Sequence, residues 1–443
     1  MNNSHLFNIP AGTGKVLLWS GILLLVTTAS PSIHGDGAVR FSAVNAVMEG
    51  DPVPAIKYSL LQPLLSLPLA YAASLFGTGV KQTVSMFNIL VFLMLAKTLF
   101  DSLSRIYSSA IARHTLLLLV GASMLPHHLQ HYYGEVLSTL AITSGTLLHR
   151  RSRICSVLLI AVGLANTPAM LPAGLAGALV LVRKQPLFLG AVLIAALLTV
   201  AENTWKYGLL TDTGYLSESE KGASTIMPYS GLPGFSYPLF FGVLSIVLSF
   251  GKGIVFYIPG LMLLLRKDTW KRIRAWNIYG LALGAFMITL VLVYAKWWAW
   301  YGGNFWGPRF FLVFVIPATI ALSASIGTAS SVMQKAAFAL LLTFSFWVGI
   351  DGVIFGQNGM GLCWENNYKL EMLCWYAPEF SALWRPFVTH NPAEFLESMI
   401  SDKRFLYSVW QLATYAYFMT LLIRSREHRT ENGVSSPSTT TSH

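Results

Sequence analysis

Apolar runs of membrane-crossing length recur from residue 16 to residue 423, and they constrain the fold more than any other feature of the chain. A hydrocarbon core about 30 Å thick is crossed by about 20 apolar residues in a helix. Each run must also satisfy its own backbone there, which makes the helix the natural spanning form. Runs at 15–33, 82–103, 115–125, 135–149, 154–166, 168–182, 187–201, 237–265, 276–293, 312–326, 334–355 and 405–423 predict an all-α polytopic membrane protein of about 12 transmembrane helices. With 54% hydrophobic and 11% charged residues and a mean hydropathy of +0.57, a soluble globular chain is excluded. The first run reads as an uncleaved span. A signal peptide is its alternative, with Lys15 as charged flank and small residues at 27–30.

The net charge of +11 does not point to nucleic acid, because the basic residues form no single patch. They fall in short connectors: Arg150, Arg151 and Arg153; Arg183 and Lys184; Arg266, Lys267, Lys271, Arg272 and Arg274; Arg424, Arg426 and Arg429. This positive-inside pattern places both termini in the cytoplasm and most of the acids outside. Residues 1–425 then form one membrane domain with a first outer loop at 34–58 and a last outer loop at 356–404. The Ser/Thr-rich tail, 426–443, reads as a disordered cytoplasmic extension. No internal repeat stands out. Cys363 and Cys374 share the last outer loop, as a disulfide or as two free thiols.

Three stretches on the outer side concentrate chemistry. In the first outer loop, Asp36 precedes residues 38–49, where Val39, Ala43, Ala46 and Val47 fall at helical spacing and predict an amphipathic surface helix with Arg40 one turn in. Asp36 is either a helix N-cap or a carboxylate facing a substrate. Lys57 lies at the exit of this loop, before a run at 59–76 broken by Pro63 and Pro68. The second stretch is PHHLQHYYGE, residues 126–135. His127, His131 and Glu135 are spaced to share a helix face, as zinc ligands or as a wet interfacial stripe. The third is YAKWWAWYGGNFWGPRFF, residues 294–311, where Gly302 and Gly303 permit a close backbone approach and Gly307-Pro308 delivers Arg309 to the next span. It reads either as an interfacial aromatic belt with an anchoring arginine or as a grip on phosphate or carboxylate. A desolvated carboxylate such as Asp36 or Glu135 can act as a general base. Arg309 and Lys57 can hold a phosphate leaving group.

Four blocks resemble the membrane-embedded glycosyltransferases of the GT-C superfamily, particularly bacterial members that use polyprenyl-phosphate-linked sugars. They are HGDGAVRFSAVNAVMEG with IKYSLLQPLLSLP after it, Tyr133-Gly134-Glu135, SFGKGIVFYIP, and WWAWYGGNFWGPR ending at Arg309. The resemblance reaches to about residue 314 and implies a GT-C-like bundle. It also implies inverting transfer of a sugar from a polyprenyl-phosphate donor to a glycan, lipid or protein acceptor on the extracytoplasmic side. Carried over residue by residue, Asp36 is the acid/base, Glu135 its partner or the residue that positions acceptor or metal, and Arg309 with Lys57 the donor-phosphate site. Arg40, His131, Tyr133, Lys252, Trp300, Gly302, Gly303 and Trp306 are the expected pocket. Asp36 stands alone where many relatives have two acids, and Gly134 stands where many have proline. No metal or cofactor is therefore assigned, although the family's chemistry admits a divalent cation.

A lipid-linked-sugar transporter or flippase is the rival class. It calls for ionisable groups at mid-membrane and for inverted repeats, neither of which the sequence displays. A non-catalytic scaffold binding partners through residues 356–404 would not need Asp36. An O-acyltransferase calls for a buried histidine, and the histidines here are expected at a wet edge.

Overall fold

The structure is a computed structural model and describes residues 12–208, 225–230, 232, 234–272, 277–402 and 404–425. The tail at 426–443 lies outside these, as do parts of residues 202–236. Among the described residues the chain is helical throughout; its one isolated bridge joins Ser32 to His131. In chain order the helices are α1 (Thr13–Thr28), α2 (Asp36–Glu49), α3 (Leu61–Leu75), α4 (Val80–Ser85), α5 (Phe87–Ile106), α6 (Ser109–Gly121), α7 (Leu125–Leu129), α8 (Gly134–Leu148), α9 (Arg153–Asn166), α10 (Leu171–Leu181) and α11 (Leu187–Tyr207). They continue with α12 (Leu239–Leu248), α13 (Ile254–Tyr257), α14 (Lys267–Arg272), α15 (Asn277–Lys296), α16 (Val315–Ser325), α17 (Val332–Ile354), α18 (Gly361–Tyr368), α19 (Glu371–Tyr376), α20 (Pro386–Thr389), α21 (Pro392–Ser401) and α22 (Phe405–Arg424).

Six helices are long and apolar enough to cross a membrane, or seven if α9 and α10, bent by 115° at Thr167-Pro168, count as one. Four shorter apolar helices, α1, α3, α6 and α12, accompany them. Expected runs thus appear in three forms: full spans, a broken span, and helices shorter than a bilayer. Proline and glycine set these breaks, as at Ser249–Gly253, where the expected interruption of residues 237–265 falls between α12 and α13. The chain is an integral, multi-pass membrane protein.

Helix starts follow local chemistry. The hydroxyls of Ser108, Ser152 and Ser331 cap α6, α9 and α17 by accepting backbone N–H groups. The helix α8 is enclosed along nearly its whole length. Gly145 on α8 and Gly163 on α9 bring the two backbones so close that an added Cβ would lie about 3 Å from a carbonyl of the facing helix. Small residues serve this purpose in membrane interiors, where packing rather than hydrophobic exclusion holds helices together.

The helix expected after Asp36 forms, and its buried face matches the expected stripe at Ala43 and Ala46 but not at Val39. Val39 is exposed, whereas Gly37, Arg40, Phe41, Ala43, Val44 and Ala46 are buried. The helix α2 packs on protein, with Arg40 and Phe41 turned inward, so the expected Val39-containing stripe is corrected. At the same end of the bundle stand the starts of α2 and α8, the turn leaving α15, and the segment after α17. The connector bearing Arg150, Arg151 and Arg153 lies at the opposite end of α8.

Candidate active site

Arg309 is the hub of that end. It opens the short 3-10 segment Arg309–Phe314 that leads into α16, and it is buried. Its Nη2 is paired with Asp36 Oδ2, its Nη1 lies 3.5 Å from Glu135 Oε1, and its Nε donates to the Gly302 carbonyl at 2.9 Å. The rings of Phe305, Tyr133 and Phe310 lie 4.1, 5.3 and 5.3 Å from the guanidinium carbon. Asp36 and Glu135 are first-turn residues of α2 and α8. A helix N-terminus favours a carboxylate through its dipole and exposed N–H groups, so two helix starts aim two acids at one cation. The N-cap position of α2 is Gly35, with Asp36 the first helical residue, which sets aside the N-cap alternative.

Burial alone would raise the Asp36 pKa. Arg309 foremost, then the Tyr58 hydroxyl and the charge of Lys57, outweigh it and hold the carboxyl below its usual 3.8. Lys57 is thus close enough to be felt at Asp36, and its ammonium also lies 5.4 Å from the Tyr58 ring centre. Arg40 does not reach the hub. It donates to the Ser59 carbonyl at 3.0 Å and packs so tightly on Gly134 that a Cβ there would fall 2.4 Å from its Nη2. Arg40 fills the space that a side chain at 134 would need, which favours glycine there.

The aromatic stretch is not an interfacial belt. Trp300 and Trp306 are buried, and Trp306 Nε1 donates to Asp351 Oδ2 at 2.8 Å. Gly302 and Gly303 have φ of +75° and +78°, a region that L side chains rarely adopt. This turn aims the Gly302 carbonyl at Arg309 and the Gly303 carbonyl at Lys252. Lys252 is buried and donates to the carbonyls of Gly303, Phe305 and Gly307, with the Trp375 ring 4.6 Å away. It braces the turn from beneath.

The histidines differ most from expectation. His127, His128 and His131 are all buried rather than at a wet edge. They share no helix face, because α7 ends at Leu129 and Asn88 Nδ2 holds the non-helical turn through the carbonyls of His131 (2.6 Å) and Tyr133 (3.1 Å). Among the described residues no three His, Cys, Asp or Glu are grouped as metal ligands. Ser32 Oγ bridges His34 Nδ1 (3.2 Å) and His131 Nδ1 (3.0 Å), and His34 Nε2 meets the Tyr133 hydroxyl at 2.8 Å. Histidine exposure therefore does not separate this chain from an O-acyltransferase.

Sequence reasoning missed several residues. Asp351 is a fully buried acid near the end of α17, and a lone acid in an apolar run was its signal. Glu202 and Lys206 pair on α11 and clamp residues 58–60, with Glu202 accepting from Leu60 N at 2.7 Å. Over the hub lies an open cleft of about 680 Å³ lined by His34, Asn304, Phe305, Gln357, Trp364 and Tyr368. Cys363 and Cys374 are disulfide-bonded beside it.

The structure is thus a helical membrane bundle with two acids and an arginine joined at one end beneath an open cleft. Among solved structures the fold is similar to that of ArnT from Cupriavidus metallidurans. Its apo crystal structure matches with a TM-score of 0.51 at 14% identity, over 96% of this chain and 79% of that one. Its crystal structure bound to undecaprenyl phosphate matches with 0.50 at 13% identity over the same shares. No family model and no curated protein matches the sequence.

Proposed function

We propose that this chain is an inverting glycosyltransferase that moves a sugar from a polyprenyl-phosphate donor to an acceptor at the extracytoplasmic face. The observation that carries the reading is the buried Arg309 guanidinium, compensated by Asp36 and Glu135 at the mouth of a fold shared with an undecaprenyl-phosphate-bound structure. A buried arginine whose counterions are movable carboxylates is ready to exchange one of them for phosphate.

The step follows from that exchange. Donor phosphate takes a share of Arg309, with Lys57 beside it, and loosens the Asp36–Arg309 pair. Asp36 then regains basicity, since Arg309 is what chiefly depresses its pKa. The acceptor oxygen attacks the anomeric carbon, the bond from that carbon to the phosphate oxygen breaks, and polyprenyl phosphate leaves with the electron pair. Asp36 takes the proton from the acceptor, while Glu135 keeps Arg309 charged and oriented. An apolar cavity of about 140 Å³ begins at Val313, one short turn beyond Arg309, and continues past Pro317 and Phe286 towards Arg150. It offers space to part of the donor's tail.

The disulfide beside the cleft supports the extracytoplasmic assignment, since such bonds persist on oxidising faces. With the connector at Arg150 on the opposite face, the positive-inside pattern agrees. The test is transfer by purified protein in nanodiscs, offered a panel of polyprenyl-phosphate sugars. Turnover of one donor, lost in Asp36→Asn and Arg309→Ala with folding intact, is the expected result. Absence of donor binding and turnover across the panel sinks the reading and leaves a transporter or scaffold.

A further inference from the structure

We infer that the cleft over Arg309 seats an uncharged sugar ring, so that the acceptor presents a carbohydrate hydroxyl. This inference rests on the transferase reading for its reaction and on the cleft for its chemistry. Three of the six lining side chains are aromatic: Phe305, Trp364 and Tyr368. Trp364 and Tyr368 are each 40% exposed, so their rings are open to a ligand in the cleft. The C–H face of a pyranose packs against such rings and buries apolar area, while its hydroxyls still need polar partners at the rim.

One such partner is present. Asn304 Oδ1 is enclosed with no hydrogen-bond partner among the described residues, so it is an acceptor in want of a donor. His34 closes the wall nearest the hub, with its Nδ1 held by Ser32 Oγ and its Nε2 by the Tyr133 hydroxyl. Gln357 is already engaged: its Oε1 accepts from Trp306 N at 2.9 Å and its Nε2 donates to the Asn304 carbonyl at 2.6 Å. It fixes the cleft floor and leaves the Asn304 side chain for the ligand.

Two further features tie the cleft to transfer. The Phe305 ring has the Arg309 guanidinium 4.1 Å from its centre and also lines the cleft, so the two sites share one wall. The Cys363–Cys374 bond closes a short loop containing Trp364 and Tyr368, which holds the aromatic wall in place before any ligand arrives. Among the described residues no lysine or arginine lines the cleft. A phosphate acceptor would need one, and a bare acyl chain would leave Asn304 unpaired.

The experiment is saturation-transfer NMR on the full chain in nanodiscs, with methyl β-D-glucopyranoside, methyl β-D-galactopyranoside and methyl α-D-mannopyranoside as probes. At least one glycoside is expected to bind through its ring protons. Trp364→Ala and Asn304→Ala should each weaken it by about tenfold at unchanged melting temperature. Arg309→Ala should lose the donor and keep the glycoside. A protein that turns over a donor yet binds none of the probes overturns the inference and leaves the transferase reading standing. Glycoside binding untouched by both Trp364→Ala and Asn304→Ala also overturns it. Glycoside binding lost in those variants, in a protein without donor turnover, supports the sugar site while the transferase reading fails.

Discussion

Arg309 and Lys252 are two buried cations gripping one loop, yet their partners differ in kind. Arg309 faces the carboxylates of Asp36 and Glu135 and only one carbonyl, Gly302. Lys252 meets three carbonyls, those of Gly303, Phe305 and Gly307. Carbonyls of a closed turn cannot leave, so Lys252 is committed to structure. Carboxylates at helix starts can exchange with another anion, so Arg309 is available for chemistry. The lesson is that burial does not distinguish a working cation from a bracing one; the exchangeability of its partners does.

The largest effect should come from breaking the Arg309 side. Asp36→Asn keeps the shape and removes the base, and turnover should fall by about a thousandfold, within the range typical of general-base loss. Melting temperature should also fall, though Glu135 still compensates part of the buried Arg309 charge. A variant that keeps near-wild-type turnover would show that Asp36 serves only to neutralise Arg309.

Breaking the Lys252 side should read out in stability. In Lys252→Met three carbonyls lose their shared donor, at a cost on the order of 3 kcal/mol. Melting temperature should drop by several degrees or more, and activity should fall only as far as the turn loosens. If Lys252→Met melts like the wild type but has lost donor turnover, the two cations have been assigned the wrong way round.

A smaller loss should follow removal of the disulfide. Closing a loop of this length contributes about 2–3 kcal/mol by chain entropy, and here it acts on the aromatic wall. Cys363→Ser with Cys374→Ser should weaken acceptor use, seen as a higher acceptor KM, with donor binding at Arg309 unchanged. A parallel loss of donor binding would mean that cleft and hub are one site.

How much of this was legible depends on range. The apolar runs, the break at residues 249–253, the helix at Asp36 and the tryptophan turn announce themselves through local composition and period. Asp36, Glu135 and Arg309 could be nominated because each sits at a helix start bordering water. Their mutual pairing, across 273 residues in the case of Asp36 and Arg309, is written in no local pattern. The inward turn of Arg40 was hidden because a charged residue on a short helix reads as solvated. The histidines were misplaced for a related reason. A polar turn between apolar runs suggests a wet rim, but the first-loop segment at Ser32 and the end of α17 at Gly352 cover it. Asp351 was passed over because one acid in a long apolar run carries little weight until Trp306 is seen to meet it.

The buried histidines give the comparison its last and most gradual test, since they surround Arg309 with groups that stay neutral. Burial lowers the pKa of His127, His128 and His131 well below 6.5, neighbouring positive charges deepen the shift, and burial with the charge of Lys81 lowers His34. In the unfolded chain each takes a proton near pH 6.5, whereas in the native state each resists until lower pH. Below pH 6.5 the unfolded state therefore binds more protons, so their stabilising contribution is complete above that value and declines as pH falls towards the native pKa values. Each histidine contributes a slope of up to about 1.4 kcal/mol per pH unit. Asp36 acts in a separate window: its depressed pKa supports folding above its usual 3.8 and is lost only as pH drops through its native value. Melting curves taken from about pH 7.5 down to about pH 5.5 should thus fall before Asp36 titrates. His128→Leu should flatten that fall by one proton's worth, because neither ring nitrogen of His128 has a hydrogen-bond partner among the described residues. A melting temperature constant across this range would mean that the turn is hydrated, and that Arg309 works beside water rather than in a neutral enclosure.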